Sequence, residues 1–417
     1  MSGSDVIILF GGTSNERRVS VASAQNVSAV LDEAEAWFLA PSGAVHRVRR
    51  EELAGFQRPF ERDFLPARPA EFPSVVAAFE SQPSRVYLLA LHGGEGEDGT
   101  IQRMLEARRI AFTGPGADAS ARAFDKEVAK QVVSAAGVRI AHSVHLSKDP
   151  KIMRNEMREM LAIYGRVVAK PVAGGSSVGL YHLLAPDEVD PAARKMEESG
   201  EPYLAEEFIS GTELTVGVVD GPGGARPLPP SEVRLEQGRA FDYEGKYLGK
   251  GTREITPAEV PPQISAAAQG MALAAHRALG CEGYSRTDVI AQARGPVFLE
   301  LNTLPGLTRA SFLPQQLAAE GTSMLAFLEG QLTITLQMDD EDLEYARTLL
   351  PALERTLDIH QVTCQQHQPC LGPRPWQTPA PELMQATMGF DVGIPQFHAL
   401  APLPILLLLV LLLHPLA

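Results

Sequence analysis

Two short segments hold the densest set of reactive side chains: Arg286-Thr-Asp-Val-Ile and Phe298-Leu-Glu-Leu-Asn-Thr-Leu-Pro-Gly306. Both are β-branched or apolar runs with a turn-prone Ala-Arg-Gly-Pro between them, the signature of strands. Side chains alternate along a strand, so Arg286 and Asp288 share a face, as do Glu300 and Asn302. Paired as a hairpin, the strands would present two carboxylates, an amide oxygen and a guanidinium together. Oxygen donors at that density suit Mg²⁺, which keeps water and borrows further ligands from nucleotide phosphates. Taken alone, the pattern also fits the solvated face of a hairpin, and the segments upstream must decide.

Residues 5–10 form an apolar run that enters Gly11-Gly-Thr-Ser-Asn-Glu16, followed by a helical stretch to about Leu31. Loops at the C-terminal ends of parallel strands are where α/β sheets bind ligands. Glu16 is an acid placed to hold an ammonium there, although a surface loop acid would need no explanation. Gly-x-Gly-x-x-Gly is absent, which speaks against a dinucleotide fold. Val86–Leu91 is a second buried strand and runs into His92-Gly-Gly-Glu-Gly-Glu-Asp-Gly-Thr100. His92 is either a structural histidine or a neighbour of a small ligand that the glycines let approach. A helix to Arg108 and a short strand from Ile110 to Thr113 follow.

From Asp118 one helix is expected to run to Gly137, carrying Lys126 and Lys130. Another covers 149–163. A strand then ends at Lys170, before Gly174-Gly-Ser176-Ser177-Val-Gly179. A lysine ahead of a Gly/Ser loop can handle phosphate through its ammonium, backbone N–H groups and hydroxyls. A flexible hairpin tip explains the glycines equally well, and the lysine precedes them, so this is not a Walker A loop. Tyr203–Ile209 reads as a strand leading to Glu213, with Phe208 and Ile209 able to flank an aromatic base or simply to fill a core. Lys246 and Tyr247 sit in a segment without period, which suggests an ordered loop. An Ala-rich helix over 262–279 closes at Gly280, and another begins near Ser311 or Pro314.

The 417 residues suffice for two or three domains, and 45 % hydrophobic with 21 % charged content is globular. A formal charge of -14 argues against general nucleic-acid binding. Three cysteines, none in a Cys-x-x-Cys pair, fit a reducing compartment. With no leader apparent at the N-terminus, a cytoplasmic location is expected.

Six segments, in order, carry a resemblance to the D-alanine–D-alanine ligase family of the ATP-grasp superfamily. They are Leu9-Phe-Gly-Gly-Thr-Ser-Asn-Glu-Arg, Ala90-Leu-His-Gly-Gly-Glu-Gly-Glu-Asp-Gly-Thr, Gly174-Gly-Ser-Ser-Val-Gly, Tyr243-Glu-Gly-Lys-Tyr, Gly283-Tyr-Ser-Arg-Thr-Asp-Val and Leu299-Glu-Leu-Asn-Thr-Leu-Pro-Gly. The resemblance spans about residues 5–330. It implies an α/β and α+β fold: an N-terminal α/β domain (1–120), a central ATP-grasp subdomain (121–215) and a C-terminal ATP-grasp domain with the metal site (216–330).

The implied reaction phosphorylates one D-alanine with ATP. The amine of a second D-alanine then attacks the acyl phosphate to give D-alanyl-D-alanine for peptidoglycan precursors. Asp288, Glu300 and Asn302 match ligands of two Mg²⁺ (or Mn²⁺) ions, and Lys126, Lys170 and Lys246 match phosphate-contacting lysines. Arg286 and the N–H of Gly306 match the oxyanion-stabilising groups. Glu16, with His92 beside it, matches the ammonium subsite of the first D-alanine. Ser176 and Tyr247 match a hydrogen-bonded chain with Glu16, Ser177 belongs to the same phosphate loop, and Ser311 matches a contact to the second substrate's carboxylate. Glu206, Glu207, Phe208, Ile209 and Glu213 match the adenine and ribose segment. A homodimer is expected from the family alone.

Arg18 stands where the family often has an acid and Gly174 where it often has a larger residue, neither in a catalytic role. Tyr247 after Lys246 favours an amine as nucleophile over D-lactate. A D-lactate or D-serine ligase remains the alternative inside the superfamily, and a silent ATP-binding module the alternative outside it. Beyond 330 the resemblance stops. Residues 339–358 could form an acidic amphipathic helix, 361–400 lack periodicity, and the nine apolar residues 405–413 fall short of the roughly 20 that span a bilayer. No membrane anchor is expected.

Overall fold

The computed structural model describes residues 5–174, 179–235 and 252–336. They lie in the first of two compact units, Met1–Thr348; the second is Leu349–Ala417. The expectations for 339–358, 361–400 and 405–413 fall outside the described residues.

The first sheet joins β1 (Val6–Gly11), β2 (Glu35–Leu39), β3 (Val45–Val48) and β4 (Val86–Leu89) in the order β3-β2-β1-β4. The first, second and fourth strands are parallel, with β3 antiparallel at the edge. Every residue of β1 and β4 is buried, as the unbroken apolar runs require of a sheet covered on both faces. Because β1 and β4 are neighbours, their C-terminal loops emerge side by side. Helix α1 (Arg17–Val30) packs on this sheet. The stretch 41–83 forms β3 and two short helices, α2 (Arg50–Gly55) and α3 (Val75–Ser81). Helix α4 (Thr100–Glu106) ends before a single bridge, Tyr87 to Phe112, in place of the strand expected over 110–113.

Instead of one helix over 118–137 there are two, α5 (Ala117–Phe124) and α6 (Lys126–Ala135). Asp125 breaks them: its backbone is extended and its carboxylate accepts the N–H groups of Glu127 and Val128. That cap satisfies donors that a continuous helix would have paired internally. It also restarts the helix with Lys126 and Lys130 one turn apart on one face.

The second sheet is antiparallel, in the order β5-β8-β6-β7, from β5 (Ser143–His145), β6 (Val167–Pro171), β7 (Tyr181–Leu183) and β8 (Tyr203–Glu207). One face carries Val167, Ala169, Tyr203 and Ala205 against the methionine-rich α7 (Pro150–Tyr164) and α8 (Val189–Ser199). By alternation the other face carries Lys170 and Glu206.

The third sheet, β12-β11-β9-β13-β14, uses β9 (Thr212–Val219), β11 (Ser231–Leu235), β12 (Thr252–Ile255), β13 (Tyr284–Ala291) and β14 (Val297–Asn302), with β10 (Arg226–Pro227) paired to β9. The boundary expected after residue 215 falls inside β9, which belongs wholly to this sheet. Leu214, Val216, Val218 and Val289 pack beneath α9 (Pro262–Leu279). On the opposite face α10 (Phe312–Ala319) docks through Gln316, which accepts from the Gly217 N–H at 2.8 Å and donates to the Thr215 carbonyl at 2.9 Å and to Ser231 Oγ at 3.0 Å. A Cβ on Gly217 would strike Leu313 and Gln316, so the close approach needs glycine there. A helix over 324–336 (α11) continues past residue 330, and its Phe327, Leu328 and Leu332 join the core of the first sheet.

Among the described residues no helix is long and apolar enough to cross a membrane. Replacing Asp125 by Ala should cost about 1 kcal/mol of unfolding free energy in urea denaturation, with Asp125→Asn nearly neutral. Equal losses for both variants would show that the cap is not what sets this helix start.

Candidate active site

The hairpin forms as its alternation demands. Arg286 opposes Asn302 and Asp288 opposes Glu300. The register then shifts between Asp288 and Val289, so that Val289 opposes Phe298 and Leu299 is an extra residue. In a regular strand Phe298 and Glu300 would share a face. The bulge turns Phe298, fully buried, into the core beneath with Leu301, while Glu300 faces outward.

Two carboxylates directly across a strand pair repel, and the neighbours answer that repulsion. The Arg286 guanidinium clamps Asp288 through Nε and Nη2 at 3.0 and 2.9 Å. Thr215 donates its hydroxyl proton to the same carboxylate. Lys126 Nζ stands 3.6 Å from Glu300 Oε2.

Glu16, His92, Arg286, Glu300, Asn302, Gly306 and Ser311 line one cavity of about 100 Å³. The two glycine loops of the first sheet form one wall. Ser14 stitches them, donating to the His92 carbonyl while accepting the Glu16 N–H, and Glu95 accepts the Thr13 N–H at 2.9 Å. A side chain on Gly93 (φ +64°) would collide with the Glu16 carboxylate, so this glycine admits the acid. Ser311 lines the cavity beside Thr308, their Oγ atoms 2.8 Å apart.

His92 is 5 % exposed and committed on both nitrogens. The Leu304 carbonyl can only accept, so Nδ1 carries the proton shared with it at 2.8 Å, and Nε2 accepts from Ser23 Oγ at 2.8 Å. The ring therefore ties the Leu304–Gly306 turn to α1 and shapes the cavity from behind. Burial pushes its pKa down to about 4.

Glu97, which no spacing singled out, also lines the cavity. Burial, then the Glu16 carboxylate, pushes its pKa up to about 8. It lies among three acids of the second glycine loop, and only the fold tells which of them points inward. Phe312 is a second unforeseen lining residue, with the Arg286 guanidinium 6.0 Å from its ring.

Lys170 and Glu206 do not line this cavity. They meet, both buried, on the face of the second sheet opposite α7 and α8, 3.0 Å apart. Lys130, also unforeseen, pairs with the same carboxylate. Lys126 is the bridge: it donates to the Gly174 carbonyl and approaches Glu300. Glu207 points to the other face, where it accepts the His142 N–H at 3.0 Å. One face of the Phe208 ring is covered by Arg166, at 3.8 Å. Ile209 follows β8, and Glu213 opposes Val233 and Ile290 in β9. Ser176, Ser177, Lys246 and Tyr247 lie outside the described residues.

Asp288, Glu300 and Asn302 fit a hard divalent ion. All their donors are oxygens on one face, and buried Asn302 Nδ2 has no hydrogen-bond partner, a place the amide oxygen would fill on rotation. Among the described residues no three His, Cys, Asp or Glu side chains are grouped to hold a metal. Two carboxylates and an amide would thus leave ligand positions for phosphate and water.

The shifted groups set a pH dependence of stability. The Glu97 carboxyl, raised from 4.5, contributes stability that is complete below pH 4.5 and lost as pH rises to about 8. The His92 contribution, lowered from 6.5, is complete above pH 6.5 and lost as pH falls to about 4. Between pH 6.5 and 8 only Glu97 of this pair changes. Urea denaturation should show stability falling over that window by up to about 1.4 kcal/mol per pH unit, and Glu97→Gln should flatten the slope. Parallel slopes in both proteins would contradict the assignment.

Family models described as "D-ala D-ala ligase N-terminus" and "D-ala D-ala ligase C-terminus" match residues 5–115 and 132–332. The D-alanine–D-alanine ligase of Acidiphilium cryptum is 37 % identical over 315 residues, covering 75 % of this chain and 92 % of that protein. That of Leptospira biflexa is 33 % identical over 350 residues, covering 81 % and 100 %. Among solved structures, the VanG D-Ala:D-Ser ligase from Enterococcus faecalis superimposes with a TM-score of 0.66 at 27 % identity, covering 79 % of this chain and 98 % of that one. The matched residues take in all three sheets, both glycine loops and the hairpin, and the chain belongs to the D-alanine–D-alanine ligase family, with its ATP-grasp fold.

Proposed function

We propose that this chain joins two D-alanine molecules into D-alanyl-D-alanine, converting ATP to ADP and phosphate, for peptidoglycan precursor synthesis. The carrying observation is the cavity that puts an acid, Glu16, and a cation, Arg286, in one space beside the Asp288–Glu300 face. A D-amino acid fits such a site, with its ammonium at Glu16 and its carboxyl toward Arg286.

A carboxylate is a poor electrophile at neutral pH, and phosphorylation gives it a leaving group. Catalysis is then mostly positioning and charge neutralisation. Lys126 and Lys170, with Lys246, neutralise the transferring phosphates. Asp288, Glu300 and Asn302 would hold two Mg²⁺ (or Mn²⁺) ions, which supply charge neutralisation at the β- and γ-phosphates. Arg286 and the Gly306 N–H stabilise the oxyanion formed when the second amine attacks, while Ser311 receives that substrate's carboxylate. Glu16 holds the first substrate's ammonium, and Ser176 and Tyr247 support Glu16 in that role. The turn positioned by His92 presents Gly306. Glu206, Glu207, Phe208, Ile209 and Glu213 serve the adenosine.

We assign three domains, 1–120, 121–211 and 212–336, the second boundary moved to keep β9 whole, and a cytoplasmic location where ATP is available. D-serine as second substrate is kept as an alternative by the similarity to the VanG D-Ala:D-Ser ligase.

The test is phosphate release with ATP, Mg²⁺ and D-alanine, alone and with D-lactate or D-serine, with products identified. D-alanine-dependent release with the dipeptide supports the reading; a depsipeptide or a mixed dipeptide as main product overturns the second-substrate assignment. Glu300→Ala should abolish release, a drop of at least about 100-fold, with the circular dichroism spectrum unchanged. Turnover at the wild-type rate in that variant would sink the metal assignment.

A further inference from the structure

Lys130 has no role in the ligation chemistry, yet it is more deeply buried, at 2 % exposed, than either Lys126 or Lys170. A buried ammonium is costly unless paired, and burial pushes its pKa down to about 8. Its partner is Glu206, 3 % exposed, which also takes Lys170 at 3.0 Å. Burial raises the Glu206 pKa, and Lys170 and Lys130 more than offset this, so the carboxyl stays ionised. One carboxylate thus holds two ammonium groups, and Lys126 stands one helical turn before Lys130.

Two lysines on one acid are redundant until one of them leaves. Phosphate handling by Lys170 requires it to turn from Glu206 toward the nucleotide. Were Lys130 absent, that turn would strand a buried carboxylate, which would take up a proton or pull Lys170 back.

We propose that Lys130 is a positioning residue for the nucleotide. It holds Glu206 ionised and fixed, which releases Lys170 to the phosphates and keeps the carboxylate as an acceptor for the exocyclic amine of adenine. This deepens the ligase reading and rests on its placement of the adenine segment. A guanine base presents a carbonyl at the corresponding position, which the carboxylate repels, so the same pair discriminates ATP from GTP.

The experiment is calorimetric binding of a non-hydrolysable ATP analogue and its GTP counterpart in the absence of D-alanine, with phosphate-release kinetics alongside. If the chain proves not to ligate D-alanine, the binding arm still decides the role of Lys130. For Lys130→Met the Kd and KM for ATP should rise about tenfold with kcat within about threefold, and the preference over GTP should shrink. Lys130→Arg, which keeps the charge and the hydrogen bond, should restore both. The effect should also vanish on Glu206→Gln, where no buried carboxylate is left for Lys130 to hold: the single variant Glu206→Gln and the double variant that adds Lys130→Met should bind ATP equally. That comparison reads the proposal even if Lys130→Met alone does not fold. ATP affinity and base preference of Lys130→Met at wild-type values, or an equal loss when Lys130→Met is added to Glu206→Gln, would overturn it.

Discussion

The confrontation of Asp288 with Glu300 across one hairpin is the constraint on which the rest of the site depends. Two like charges in register cost stability, and a fold built for stability alone would not place them there. Holding them requires Arg286 and Thr215 on Asp288 and Lys126 near Glu300. The first two come from the same sheet. The third arrives from another part of the chain, at the start of a helix whose position Asp125 fixes. The repulsion is therefore answered by long-range architecture.

The three sheets contribute differently. The first supplies two glycine loops and an acid, and its parallel strands bring those loops together. The third supplies the hairpin, its bulge keeping Phe298 in the core while Glu300 faces the cavity. The second offers the Lys170–Glu206 pair. Neutral His92 and the hydroxyl of Ser23 link the first to the third by fixing the turn from Leu304 to Leu307.

Much of this was legible in the sequence because strand alternation and glycine spacing are local signals. The shared face of Arg286 and Asp288, the loops after β1 and β4, and the long helices all follow from period and turn chemistry. What stayed hidden depends on distant packing. Asp125 looked like a residue inside a helix because nothing local says that its carboxylate caps the next one. Glu97 among three loop acids, and Lys130 one turn beyond Lys126, gain meaning only when the fold surrounds them. Glu207 and Glu206 are neighbours in sequence, yet strand alternation sends them to opposite faces with different partners. His92 was ambiguous between structure and substrate until both of its nitrogens found protein partners.

The most direct measurement is the fate of oxygen. With both carboxyl oxygens of D-alanine labelled with ¹⁸O, activation of that carboxylate by phosphoryl transfer sends one labelled oxygen into the released phosphate when the amine displaces it. Phosphate carrying one ¹⁸O, formed together with dipeptide, is the result expected. Unlabelled phosphate accompanying dipeptide would contradict the acyl-phosphate route, and with it the catalytic roles proposed for the hairpin face, Lys126 and Lys170.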